Sequence, residues 1–292
     1  MGTYDKEEML GDYIEGRKTM TLVRRPGVVA RPNRPMQRAQ VLSNALEIQH
    51  STGQVSIYKT SWVVLGLPKI GKSTLGSGFD GALYLCTSEK EVGSLTVPYL
   101  LINSWEKLLA VTDELINNRS KYAEYKFLVI DFVDAVWTLC VIAVCEKLGV
   151  AHQTDAQWGK GSDTIDTYFK KWVTTLVASE YGIIFISHVV QKDVMQAGGV
   201  ITKTVCSLPP RARNILFPLT NVIACMEYKT VPIPQQNGKT ALVKKRVIRF
   251  EGNEYVEAGD RDGVLPKEII LSSDPVTNFE VFRDYYEGRR KK

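Results

Sequence analysis

The chain has 292 residues, 44% of them hydrophobic and 24% charged, with a formal net charge of +5; this balance is globular and excludes wholesale disorder and fibrous repeats. Its length suits one elaborated domain with appendages. The longest uncharged apolar run, residues 136–145, is well short of the ~18 residues that cross a bilayer.

The acidic opening MGTYDKEEML lacks the apolar core of a secretory signal, so a cytoplasmic protein without a membrane partner is expected. Five cysteines, Cys86, Cys140, Cys145, Cys206 and Cys225, form no CxxC pair and are expected to be reduced thiols. Basic charge is segregated. Residues 16–46 hold seven basic side chains and no acid, residues 189–250 hold ten against Asp193 and Glu227, and the chain ends in Arg289, Arg290, Lys291 and Lys292. Such clustering suits contact with a polyanion, with plain solubility as the alternative.

In chain order, residues 1–58 carry Pro26, Pro32 and Pro35 among arginines without sustained periodicity, the pattern of a basic N-terminal arm. Residues 59–272 form the expected core. Within it, 62–65, 82–86, 127–130 and 183–186 read as fully buried strands separated by stretches long enough for crossover helices. That alternation predicts an α/β fold with a mostly parallel sheet, whose ligands sit at the carboxyl ends of its strands. Residues 221–228 and 245–250 look like further strands, 252–262 is turn-rich, and 273–292 is expected as a C-terminal tail with a basic end.

Directly after the first strand stands Gly66-Leu67-Pro68-Lys69-Ile70-Gly71-Lys72-Ser73-Thr74, which fits GxxxxGK[ST] throughout. Its glycines permit a tight loop whose N–H groups face phosphate oxygens, and the next helix turns its positive end to the same anion. Lys72 is expected to reach the β and γ phosphates of ATP, and the Ser73 hydroxyl to coordinate Mg²⁺. A second carboxylate for the metal normally ends a buried strand beside the first, and Asp131 at the end of 127–130 supplies it. Asp134 is its competitor, and a simple strand-ending acid is the structural alternative.

Hydrolysis also needs a group to orient water. Glu89, after the strand 82–86, is within reach of the γ-phosphate if that strand neighbours the P-loop strand, and is the candidate general base; otherwise it is a solvated loop glutamate. His188 ends the strand 183–186 where a γ-phosphate sensor would sit, with a capping role as its alternative. His50 and His152 belong to no constellation.

These residues together resemble a family, the RecA-like core ATPases, and within it the small phage-encoded nucleotide-binding proteins of single-strand annealing and recombination. The resemblance rests on the loop from Gly66 to Ser73, the Asp131 strand, Trp158-Gly159-Lys160, the strand ending at His188, and Ala258-Gly259-Asp260-Arg261-Asp262-Gly263-Val264-Leu265-Pro266. It spans roughly residues 61–270. It implies a homo-oligomeric ring or filament whose nucleotide lies between protomers and is reached by a basic residue of the neighbour. In hexameric relatives that role falls to a Lys-x-Arg pair; here Gly259 replaces the lysine and Arg261 alone is left, with a local turn contact as its alternative. It further implies that residues 189–214 form a basic loop holding single-stranded DNA through Lys192, Lys203, Arg211 and Arg213. The loop has no aromatic residue, so backbone charge contact rather than base stacking is expected. Lys244, Lys245 and Arg246 read as a solvated strand face.

The function so implied is an ATP-dependent DNA-binding ATPase of phage recombination or replication in the host cytoplasm, with a single-strand-binding protein as a candidate partner. Two other classes remain open, a non-enzymatic ATP-locked DNA-binding module and a P-loop kinase, for which no arginine-rich lid is visible.

Overall fold

The computed structural model describes residues 53–196, 199–234 and 240–292. The expected arm, apart from its last residues, lies outside them. Those last residues belong to the core, since Ile57 is buried under the short turn Ile57–Lys59.

The four apolar runs form β1 (Ser61–Gly66), β2 (Ala82–Cys86), β4 (Phe127–Asp131) and β5 (Gly182–Ile186), with the short edge strand β3 (Tyr99–Leu101) between β2 and β4 in sequence. Every residue of the four long runs is buried. Trp62, Val64, Tyr84, Val129 and Ile184 fill one side of the sheet, whereas Val63, Leu65, Leu83, Leu128 and Ile183 fill the other. A strand covered on both faces has no polar side to show, which is why these runs carry no alternation.

Two ribbons follow: β6 (Val189–Gln196) with β7 (Gly199–Cys206), and β8 (Val222–Pro234) with β9 (Thr240–Arg249). The short strands β10 (Gly259–Asp260) and β11 (Glu268–Ile270) complete the set. The main sheet runs β11-β9-β8-β1-β5-β4-β2-β3, with β10 added alongside β8. From β8 to β3 neighbours are parallel, and β9, β10 and β11 pair antiparallel. One face is covered by α1 (Lys72–Gly76) and α7 (Pro275–Tyr286). The other is covered by α3 (Trp105–Asn117), α4 (Val133–Leu148), α5 (Lys160–Val177) and α6 (Pro210–Leu219). The short helix α2 (Glu89–Val92) follows β2. Among the described residues no helix is long and apolar enough to cross a membrane, and all five cysteines are free and buried.

Two expectations are corrected. Residues 189–214 are not a single loop but the β6–β7 ribbon followed by α6, whose first residue is Pro210. β-branched residues at Val190, Val194, Val200, Ile201 and Val205 favour the ribbon, and proline suits the first turn of a helix. Nor is 273–292 a tail. Asp274 caps α7 by accepting from the N–H groups of Val276 and Thr277. Phe279 and Phe282, three apart on one helix face, are buried against Trp62, Phe79 and Phe127, with Phe79 and Phe279 ring centroids 5.0 Å apart.

Phe279→Ala is expected to cost about 3 to 5 kcal/mol of stability, measured by urea unfolding, whereas truncating a side chain on a solvated tail would leave the midpoint unchanged.

Candidate active site

The P-loop joins β1 to α1 at the carboxyl edge of the sheet. Two of its residues adopt left-handed backbone, Lys69 at φ 63° and Gly71 at φ 101°, and Gly71 is the residue from which α1 starts. Gly66 is constrained by space: a Cβ there would stand 3.0 Å from Ile70 Cγ2 and 3.1 Å from the Met226 carbonyl. The Lys72 ammonium folds back onto the loop, donating to the carbonyls of Gly66 (2.8 Å) and Leu67 (3.0 Å), and stands 3.1 Å from His188 Nδ1. Tyr84 of β2 fastens the start of α1 by donating to the Ser73 carbonyl at 2.6 Å.

Burial pushes the Lys72 pKa down to about 8, against the opposing pull of Asp131, Asp134 and Cys225. His188 is also lowered, by burial and then by the Lys72 charge. A neutral imidazole whose Nδ1 accepts from the ammonium satisfies both groups. The ring packs on Phe132, with centroids 4.9 Å apart.

Asp131 is buried, and burial raises its pKa while a hydrogen bond from Ser73 and the Lys72 charge lower it. Its Oδ2 has no hydrogen-bond partner. An orphaned buried carboxylate oxygen beside the Ser73 hydroxyl fits a cation, so these two residues suit Mg²⁺. No cluster of three or more His, Cys, Asp or Glu among the described residues could hold a metal alone; Mg²⁺ is commonly bound through one or two carboxylates and substrate phosphates.

The strand carrying Asp131 is not beside β1, as the sequence suggested. β5 lies between them, in a register that aligns Val64 with Ile186 and Ile186 with Asp131. The inserted strand is followed by Ser187 and His188, and that position brings the imidazole to Lys72. Glu89 is displaced further, because β2 stands beyond β4, three places from β1, so the condition of a neighbouring strand is not met. Glu89 is exposed in the first turn of α2. The adjacent carboxylate, Glu91, accepts from Thr87 N and Thr87 Oγ1 (both 2.9 Å) and Ser88 N (3.2 Å) in a capping box. The Ser88-x-x-Glu91 spacing carries that signal in the sequence.

Asp134, the competing metal partner, lies in the first turn of α4 and accepts from the Ser207 hydroxyl. Its other oxygen is buried without a partner. Ser207 also donates its N–H to the His188 carbonyl at 2.9 Å. Asp134, Ser207 and His188 therefore join both roots of the β6–β7 ribbon to the P-loop edge, a knot that the sequence reading missed.

The four expected DNA contacts divide. Lys192 and Lys203 face each other across the ribbon, where like charges directly opposite are unfavourable without an anion. Arg211 and Arg213 lie on α6 and are engaged by acids: Arg211 by Asp163 and Asp166, and Arg213 by Glu257. Arg261 does not join the P-loop of its own chain. Asp260 pairs with Val222, which aligns with Trp62, at the opposite end of the sheet from the Gly66–Met226 pair. Its guanidinium donates to the Pro218 carbonyl.

A mostly parallel α/β sheet with a lysine-bearing phosphate loop, and a serine and an aspartate suited to Mg²⁺, defines a P-loop ATPase. A family model described as an AAA domain matches residues 59–262, more than two thirds of the chain, and the protein belongs to that family. No curated protein matches it.

The native state holds Lys72 below its unfolded value of 10.5, so the unfolded chain binds more protons between the two pKa values. The stability of the nucleotide-free protein is therefore expected to rise from about pH 8 to pH 10.5. Lys72→Met should remove that increment, read as the difference between the two unfolding profiles.

Proposed function

We propose that the protein is a Mg²⁺-dependent ATPase of RecA-like type that binds single-stranded DNA as a homo-oligomer and serves phage recombination or replication in the host cytoplasm. The observation that carries this reading is the 3.1 Å contact between Lys72 Nζ and His188 Nδ1. His188 is the residue before β6, so the group touching the P-loop lysine shares its backbone with the ribbon that presents Lys192 and Lys203.

When ATP binds, Lys72 leaves the loop carbonyls for the β and γ phosphates. Ser73 and Asp131 would hold Mg²⁺, which would neutralise phosphate charge. His188 reads the γ-phosphate from the end of β5. Arg261, remote from its own site, serves a neighbour's nucleotide in the oligomer; an arginine acting in trans can contribute on the order of 10³ to 10⁵ in rate. Lys192 and Lys203 take the DNA backbone.

Steady-state ATP hydrolysis with and without single-stranded DNA tests the reading. Stimulation that fades with salt and vanishes in Lys72→Ala is the expected result. ATP binding without turnover in either condition would instead make the protein an ATP-locked DNA-binding module, and consumption of ATP only with an added phosphate acceptor would make it a kinase.

If the ribbon lysines each meet one phosphate of a single strand, Lys192→Ala and Lys203→Ala should each reduce the slope of log K against log salt by about 0.7. Arg211→Ala, which removes an ion-paired side chain, should leave the slope near its original value. Fluorescence anisotropy titrations at several salt concentrations read both.

A further inference from the structure

Arg246 lies on β9 directly opposite Tyr228 of β8, two residues past Met226, which is level with Gly66 of the loop. The side chain reaches the P-loop. Its Nη1 stands 2.4 Å from the position a Cβ on Gly71 would take, and 3.5 Å from the Ile70 carbonyl. Any side chain at position 71 would displace it. With Thr74, Ser272, Ser273 and Asn278, Arg246 lines a small recess between the loop and the segment entering α7.

The groups suited to the terminal phosphate lie on the other flank of the loop. His188 follows β5, Asp131 ends β4, and both strands are on the opposite side of β1 from β8 and β9. A triphosphate whose terminal phosphate meets those groups passes through the loop toward β8 and β9. The phosphate nearest the nucleoside would then come to Thr74, beside the guanidinium of Arg246. The Ile70 carbonyl is a long and weak partner for the guanidinium, which is therefore free to exchange it for a phosphate oxygen, a stronger, charge-assisted bond.

We propose that Arg246 is a ligand of the α-phosphate, supplied in cis from β9. Lys72 holds the β and γ phosphates from one flank, and Arg246 holds the α-phosphate from the other. The inference rests on the ATP-binding reading above and adds to it the residue that grips the nucleoside end of the substrate.

The test compares Arg246→Ala and Arg246→Lys with the full-length parent, by titration with ATP and with each of the two diastereomers of ATP carrying sulfur at the α-phosphate, in Mg²⁺. Arg246→Ala is expected to weaken ATP binding about tenfold, the size of one charge-assisted contact, and Arg246→Lys to recover part of the loss. The parent should discriminate between the diastereomers, and Arg246→Ala should bring their affinities together. Unchanged ATP affinity in Arg246→Ala overturns the proposal. So does weakened affinity with unchanged diastereomer discrimination, because an arginine that only props the loop does not select between the two α-oxygens. If Arg246→Ala does not fold, the diastereomer ratio of Arg246→Lys carries the decision. Lys72→Ala separates the two readings: if it too leaves ATP affinity unaltered, the ATP-binding assignment fails and not the role of Arg246 alone.

Discussion

The Lys72 ammonium is the point around which the rest of the edge is arranged. A buried cation is costly unless it is paired and hydrogen-bonded, and this one is surrounded by partners that are each weak alone: two loop carbonyls, a neutral imidazole, and two carboxylates acting through the field. Each of those groups is set by a different part of the fold. The carbonyls require the left-handed turn at Lys69 and Gly71, the imidazole requires β5 to stand beside β1, and the carboxylates require β4 to end and α4 to begin where they do. Burial lowers the pKa of the lysine, and the two carboxylates pull against that shift. A polyphosphate offers it better partners than any it has in the nucleotide-free chain.

Strand order does much of this work. With β5 between β1 and β4, the edge presents three successive chemistries: a phosphate loop, a histidine, and an aspartate. Had β4 stood beside β1, His188 would have been pushed past the aspartate and out of reach of Lys72. The same order carries the chain directly from His188 into the β6–β7 ribbon, so that no linker separates the nucleotide site from the basic hairpin.

Much of this was legible in the sequence, for identifiable reasons. Buried parallel strands announce themselves as uninterrupted apolar runs, and the phosphate loop is a contiguous motif whose backbone geometry follows from its glycines. Asp131 and His188 stood out in the sequence because each stands at the close of such a run. What depended on pairing between distant segments was not visible. The position of β2 relative to β1, and with it the placing of Glu89, is a property of strand order. The ion pairs that engage Arg211 and Arg213 join α6 to α5 and to Glu257, across 44 or more residues. Residues 273–292 looked like a tail because the aromatic pair of α7 is short and flanked by charge; its burial is decided by Trp62 and Phe79, about two hundred residues earlier. Arg246 stood in a run of three basic residues, and only the β8–β9 register shows which of them faces the loop.

The knot of Asp134, Ser207 and His188 has a mechanical consequence. The ribbon is fastened at its base by that knot and again where β7 meets residues 255–257, through Thr204 N to the Tyr255 carbonyl and Cys206 N to the Glu257 carboxylate, so its two strands cannot slide past one another at the root. Eight residues of strand extend from that root, about 26 Å at the usual rise.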